Sequence, residues 1–577
     1  MKIALVGFGP RGLACLENLV LALGKEKRNI PILITVFEPS SRLGTGKAWE
    51  LNQPETNYIN ISDHALQNLQ GREKLVWGAC TIPSFPFYSQ WCINEQKTEN
   101  IKGDKDVYPA RSQMGTYLNQ RASSICTVLK EHKLLTICQA KITDITFSAN
   151  ELILMAQQEE YKVTEAVLTL GHLPTKDSEE TKQFKAHARN NACIYIDNPY
   201  ETLLAQGNMS NTIVAIKGFG LSMIDIARQL TSYAYGRFKK NEKEPFLNFI
   251  PEKGCVHKLI PYSFDGLPCV PKPYGRTVDE QFAPTNTETN TFELAVRNSL
   301  STPEANEDLQ FLLDAFARVA AAVFKRNHKE IIATHSLQLL IVAWLQDTNT
   351  KHELILDTQL DTKAYMVRCV HMAYGTEESS LDYTIGQVWR HLQPTMYRLF
   401  AFSGLPGHVL KKLVTMDESI KRYSYGPPVE SILQLIALVD ANILDLRFVN
   451  NPEVTMIETG WKLSKDKYTQ EAQQLCNSVM EAPVLKELES PLIDSLEKQQ
   501  LIQAVHPELG IQTYPDATVV PVENQTKPIP ISVIGRNAKG SVLGTDAILE
   551  CFSPEISDWA AGVVHRFKNY KSNTTCS

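Results

Sequence analysis

Three glycine-marked turns carry the residues able to do chemistry. The first is Gly7-Phe8-Gly9-Pro10-Arg11-Gly12. A dinucleotide pyrophosphate needs this spacing: Gly7 permits a tight turn, Gly9 lets the backbone approach the phosphates, and Gly12 lets a helix pack closely on a strand. Unpaired amides at the helix start then face the anion, where the helix dipole also favours negative charge. Glu38 stands where an acid should hydrogen-bond an adenosine ribose. The second turn, Gly218-Phe219-Gly220, leads into Leu221-Ser222-Met223, with Met223 in the place of a third glycine. Alone it is a weak signal, because two-glycine turns occur in many α/β proteins; a second nucleotide site would give a bound flavin its source of hydride. The third runs from Gly535 and Arg536 to Gly544-Thr545-Asp546.

The flanking residues show what must hold these turns. Lys2 to Val6 reads as a strand, and Leu13, Leu16, Leu19, Val20 and Leu23 recur at helical steps. Ile32 to Phe37 is a second strand ending at Glu38. Ile213 to Lys217 and the apolar residues Ile224, Ile226, Ala227 and Leu230 repeat the strand-turn-helix order around Gly218 and Gly220. Ile531 to Ile534 predicts a late strand, with Thr545 or Asp546 capping a last helix. Such a helix start, aimed at a flavin, would stabilise charge on the reduced ring. From about Leu309 the spacing turns helical and continues, with breaks, to about residue 520. The expected fold is α/β: a Rossmann-like FAD-binding domain (1–175 plus 525–577), a second dinucleotide-binding region (176–290) and a mostly helical insertion (291–524) that holds a substrate.

Composition narrows the class. Apolar residues make up 43% of 577, so a globular protein is expected, and the formal net charge of −6 gives no long-range attraction for nucleic acid or an anionic membrane. Without an apolar run of membrane-spanning length or a secretory-type start, a cytoplasmic location is expected. The twelve cysteines are dispersed, with no closely spaced redox pair. Cys255 and His257 lack a second ligand pair at zinc-finger spacing, so no metal is expected.

Other positions carry weaker signals. Arg42 to Gly46 and Asn57 to Ile61 suit a loop around a long cofactor, or a plain surface excursion. Arg111 and Gln113 stand at the start of a helix. His172 follows the strand-ending Gly171, where backbone hydrogen bonding is a commoner role than catalysis. Four prolines and Gly266 between Pro261 and Pro273 preclude a regular helix. Arg390, His391 and Arg422 are candidate ligands for an anionic group, and Arg237, Lys239 and Lys240 for a 2′-phosphate.

Gly7 to Ala14, Arg111 to Leu118, Gly218 to Asp225 and Gly535 through Asp546 together resemble the FAD/NAD(P)-binding family, whose nucleotide-binding domain is similar to that of FAD-dependent urate hydroxylase and which includes members resembling L-aspartate N-monooxygenase. The resemblance is less specific over residues 290 to 520. It implies that Gly7, Gly9, Pro10, Arg11, Gly12 and Glu38 bind FAD, that Arg111 and Gln113 lie near the flavin, that Gly535, Gly544 and Thr545 also bind cofactor, and that Asp546 approaches the ribityl chain. It implies NAD(P)H as reductant at Gly218 and Gly220, oxygen as co-substrate, and oxygen transfer to a small molecule through a C4a-(hydro)peroxyflavin. A flavin reductase that never oxygenates and a non-enzymatic nucleotide sensor stay open on the residues alone.

Overall fold

The computed structural model describes residues 1–26, 31–96, 106–148, 151–202, 209–242, 245–329, 332–522 and 528–574. Among them, five parallel strands form the first sheet in the order Ile531–Val533, Glu165–Leu168, Lys2–Val6, Leu33–Phe37, Leu135–Cys138. Buried strands of this kind read as continuous apolar runs, as Ile3 to Val6 do, because both faces are covered. The helix Pro10–Gly24 follows the opening strand with proline in its first turn, where the missing amide costs nothing. It packs against the last helix, Glu555–Thr574, through a core that includes Leu13, Leu16, Ile556, Trp559 and Val563. The late strand sits beside Glu165–Leu168, so the two ends of the chain share one sheet.

A second parallel sheet has the order Ile194–Ile196, Gln474–Asn477, Ile213–Lys217, Lys258–Tyr262. Each sheet is accompanied by a three-stranded antiparallel meander, Ile142–Ser148 to Glu159–Val163 in one case and Glu453–Ile457 to Tyr468–Ala472 in the other. The chain is α/β, as its sequence predicts. The helices of the insertion, from Asn286–Ser299 to Val429–Asp440, pack with the second-turn helix Leu221–Thr231 in one apolar core.

The expected helical character of 291–524 is corrected over its last part. Helices give way after Asp440, and residues 453–477 are strands that return to the second sheet. The pattern there has period two: Trp461 and Leu463 are buried while Lys462 and Ser464 are less so, and Gly460 at φ +143° follows the two-residue hairpin turn at Glu458 and Thr459. Residues Leu485 to Val519 then pack on the first meander and first sheet.

One buried ionic cluster braces the opening helix. The Glu17 carboxylate accepts from Arg72 Nη1 at 3.0 Å, and from Arg121 Nε at 2.9 Å and Nη2 at 2.7 Å. All three side chains are buried. Removing the carboxylate strands two guanidinium groups in the core. Glu17→Ala is expected to cost about 3–5 kcal/mol of stability, read as a lowered urea midpoint.

Candidate functional site

The first turn has the geometry that an anion needs. Gly7 sits at φ +87°, and a Cβ there would lie 2.6 Å from the Thr169 carbonyl oxygen. The Gly7 amide donates to Phe37 O at 2.9 Å and Thr169 Oγ1 donates to Gly7 O at 2.7 Å, locking the turn between two strands. A Cβ on Gly12 would come within 2.6 Å of Gly7 O, so only glycine lets the helix approach. Gly9 differs. A Cβ on it meets nothing nearer than 3.5 Å, so its glycine is not demanded by the protein's own packing. Among the described residues the amides of Gly9, Arg11 and Gly12 have no acceptor, and such orphan donors at a helix start suit a phosphate.

Glu38 and the following loop close over this turn. Its carboxylate accepts from the amides of Phe8 at 2.7 Å and Ser40 at 2.9 Å. Gly44 N donates to Phe8 O at 2.8 Å, and Gly46 lies against Gly9. The loop therefore lies over the turn itself.

The third turn comes to the first. Arg11 Nη2 donates to Thr545 O at 2.6 Å, and a Cβ on Gly535 would stand 2.5 Å from Arg11 Cδ. Gly544 is equally constrained, because its Cβ would lie 2.4 Å from the Tyr397 ring. The expected helix start at Thr545 and Asp546 is corrected: the last helix opens at Glu555, after Pro554. The amides of Asp546 and Ala547 instead donate to Glu550 Oε2 at 2.6 and 2.8 Å, which holds a turn there. Asp546 itself is enclosed by cations, with Arg536 Nη1 at 2.5 Å, Lys421 Nζ at 2.6 Å and Lys539 Nζ at 3.8 Å. Although burial opposes ionisation, these three hold its carboxyl well below the usual range. Lys421 belongs to the insertion helix Gly407–Ser424 and is 125 residues away in sequence, so no local signal announces it.

Arg111 reaches the second turn. It opens the helix Arg111–Glu131; its Nη2 lies 2.8 Å from Asp225 Oδ2, and Tyr200 OH donates to the same oxygen at 2.8 Å. Against the desolvation that burial imposes, Asp225 and Tyr200 bind its proton more tightly than usual. Asp225 lies on Leu221–Thr231, so this ion pair joins the helix Arg111–Glu131 to the helix of the second turn. Gln113 is turned to Cys92 Sγ at 3.4 Å, within the packing against Tyr88–Gln96.

In the second turn Gly218 sits at φ +112° with its amide donating to Tyr262 O at 2.8 Å, the counterpart of the Gly7 bond. A Cβ on Gly220 would meet nothing within 4 Å, whereas one on Gly9 would touch Gly46 at ordinary contact distance. Met223 is fully buried where the first helix has Gly12, so this helix packs by a side chain instead of by backbone contact. Arg237, Lys239 and Lys240 are not at this turn's strand ends. They lie on a separate hairpin, Gly236–Lys240 with Leu247–Pro251, and Arg237 pairs with Glu252 at 3.4 Å.

The remaining candidates already have partners. Arg390 and His391 both meet Asp279, and Arg422 meets Asp265. The His172 side chain is solvent-accessible, yet desolvation and the nearby Arg536 push its pKa down to about 4, so it is neutral at pH 7. The proline-rich segment brings in a residue that sequence gave no reason to choose: Lys272, whose Nζ donates to Asn60 O. Burial, then Arg390, lowers its pKa to about 7, with Asp279 and Asp106 opposing.

Two outcomes follow. Gly9→Val should abolish flavin retention while circular dichroism and melting stay near wild type, whereas Gly12→Val, forced against Gly7 O, should lower the melting temperature as well. Unfolded Lys272 titrates near the ordinary lysine value, so between about pH 7 and 10 the unfolded chain binds more protons. Stability from this residue should therefore rise with pH across that window. Lys272→Met should flatten the rise, measured by urea unfolding at pH 7, 8.5 and 10.

Residues 4–173, which hold the first turn and most of the first sheet, match the model of the FAD-NAD(P)-binding family. A nitrosuccinic acid synthase of Aspergillus oryzae is 25% identical over 250 residues, covering 41% of this chain and 36% of that protein. An L-aspartate N-monooxygenase (nitrosuccinate-forming) of Streptomyces cremeus is 23% identical over 260 residues, covering 42% of this chain and 39% of that one. The chain thus spans about two fifths of the length of these relatives. Among solved structures, an L-lysine 6-monooxygenase from Pseudomonas syringae is similar at 12% identity and a TM-score of 0.46, covering 98% of this chain and 99% of that one. Among the described residues no helix is long and apolar enough to cross a membrane.

Proposed function

We propose that the protein is an FAD-dependent, NAD(P)H-consuming monooxygenase that hydroxylates the amine nitrogen of a small molecule. The observation that carries this reading is the recurrence of one glycine turn on two parallel sheets, each closed by the same amide-to-carbonyl bond, in halves of the chain that the Arg111–Asp225 ion pair joins. Two dinucleotide sites in one molecule are what hydride delivery from a nicotinamide to a flavin requires. The relatives named for L-aspartate and nitrosuccinate support an amino-acid-like amine as substrate.

Bound FAD supplies a carrier that a nicotinamide can reduce and that oxygen can re-oxidise. The protein's residues do the positioning. Amides of Gly9, Arg11 and Gly12 would hold the FAD pyrophosphate, with Glu38 accepting from the ribose. Amides of Phe219, Gly220 and Ser222 would hold that of the nicotinamide coenzyme. Arg11, by gripping Thr545 O, keeps the carboxyl-terminal turn against the first helix, and Lys421 pins the insertion to the same turn through Asp546. Such closure keeps water from the reacting centre. The stoichiometry is one oxygen atom to the substrate nitrogen and one to water, with two electrons from the nicotinamide.

The test is anaerobic reduction followed by oxygen. The purified protein should be yellow, bleach with NADPH or NADH, and on admission of oxygen convert an amino acid from a panel headed by L-aspartate to a product 16 mass units heavier. Peroxide accounting for all the nicotinamide consumed with every amine would instead establish a reductase, and a colourless protein that cannot be reconstituted would establish a sensor.

A further inference from the structure

The segment Tyr58 to Asn60, the helix Leu221–Thr231 and the insertion helix Val429–Asp440 meet around a cavity of about 20 Å³. The charged residues that line it are Arg111, Asp225 and Arg228. Asp225 is taken by Arg111 and by the Tyr200 hydroxyl, both at 2.8 Å. Arg228 therefore has no share in that carboxylate.

Arg228 is only 4% exposed. Its Nε donates to Gln434 Oε1 at 2.7 Å and its Nη2 to Ser431 Oγ at 2.6 Å, both on the insertion helix, and its guanidinium carbon lies 4.4 Å from the centre of the Tyr58 ring. These partners fix the plane of the group, and none of them is charged. Among the described residues no carboxylate pairs with Arg228, and Nη1 has no acceptor. Burial draws its pKa below the ordinary arginine value, with Asp225 opposing, yet a guanidinium keeps its proton in a protein. A buried cation without a counter-ion is costly, and an anion removes the cost.

Charge and volume select the anion. Two arginines and one aspartate leave the lining with one positive charge in excess, which a single carboxylate balances. A space of about 20 Å³ takes one oxygen-sized group, so the end of a flat carboxylate enters it and a tetrahedral phosphate does not. Carboxylate oxygens also match the planar donors of a guanidinium.

We propose that this cavity seats a carboxylate of the substrate, with one oxygen accepting from Arg228 Nη1. The assignment rests on the reading of the chain as an amine-oxygenating enzyme, and it narrows the substrate to amines that bear a carboxylate. Tyr58, Arg228 and Ser431 come from three separate stretches of the chain, so the seat exists only where those stretches meet.

The test is calorimetric binding of succinate, a carboxylate with no nitrogen to oxidise, and of its uncharged diamide to the flavin-loaded protein. Wild type should bind succinate about tenfold tighter than the diamide, as a charge-assisted hydrogen bond implies. Arg228→Gln should bring the two ligands to within about twofold, and Arg228→Lys should restore part of the difference. Ser431→Asp sets a resident carboxylate on Arg228. It should raise the melting temperature and abolish succinate binding, which decides the matter even if Arg228→Gln fails to fold. With an amino acid that is oxygenated, Arg228→Gln should raise KM about tenfold while kcat changes far less, a split that loss of folding would not give. Succinate bound no tighter than the diamide by wild type, displaced equally well by chloride as an adventitious anion only, or bound unchanged by Ser431→Asp would overturn the seat. Oxygenation with KM unmoved in Arg228→Gln would overturn it too and leave the proposed function standing. Succinate binding lost in both variants, with no amino acid oxygenated, would uphold the seat and overturn the oxygenase reading.

Discussion

The approach of the first helix to the opening strand governs the rest of the molecule. Gly12 allows it, and a single added carbon there would fall 2.6 Å from Gly7 O. With the helix this close, the amides of Gly9, Arg11 and Gly12 open onto the same small space. With Arg11 so placed, its guanidinium can reach Thr545, 534 residues later. The carboxyl-terminal turn is thereby docked, and Asp546 becomes available to Lys421 on the insertion. One steric permission thus sets the geometry of a cradle of free amides and of the contacts that close over it.

The two sheets reuse one backbone plan with different side chains. Each turn has a positive-φ glycine bonded to the neighbouring strand and a second glycine where an added Cβ would meet no clash. The differences are informative because the frame is constant. Met223 replaces Gly12, so the second helix is held by a buried thioether, and Ser263 replaces Glu38, so the second site lacks an acid under its turn. Arg111 and Asp225 bind the two halves at 2.8 Å.

What could be read from sequence was local. The first turn, its strand and its helix declare themselves within 24 residues, because steric demands at Gly7 and Gly12 act on immediate neighbours. Strand 213–217 and the late strand at 531–533 were legible for the same reason. Pairings made by tertiary structure were not: Arg111 with Asp225 lies 114 residues apart and Lys421 with Asp546 lies 125. Residues 453–477 carry a two-residue alternation that was overrun by the helical pattern before it. Arg237, Lys239 and Lys240 form a charge cluster in the sequence, but strand register sets Ser263, not these, opposite Gly218. Thr545 and Asp546 fit a helix start by type, yet Glu550 takes their neighbouring amides first.

The most direct measurement is the crystal structure of the protein with FAD. The account predicts coenzyme pyrophosphate oxygens about 3 Å from the amides at Gly9, Arg11 and Gly12, with the ribose beside Glu38. Density for the coenzyme elsewhere, with those amides facing only solvent, would contradict it.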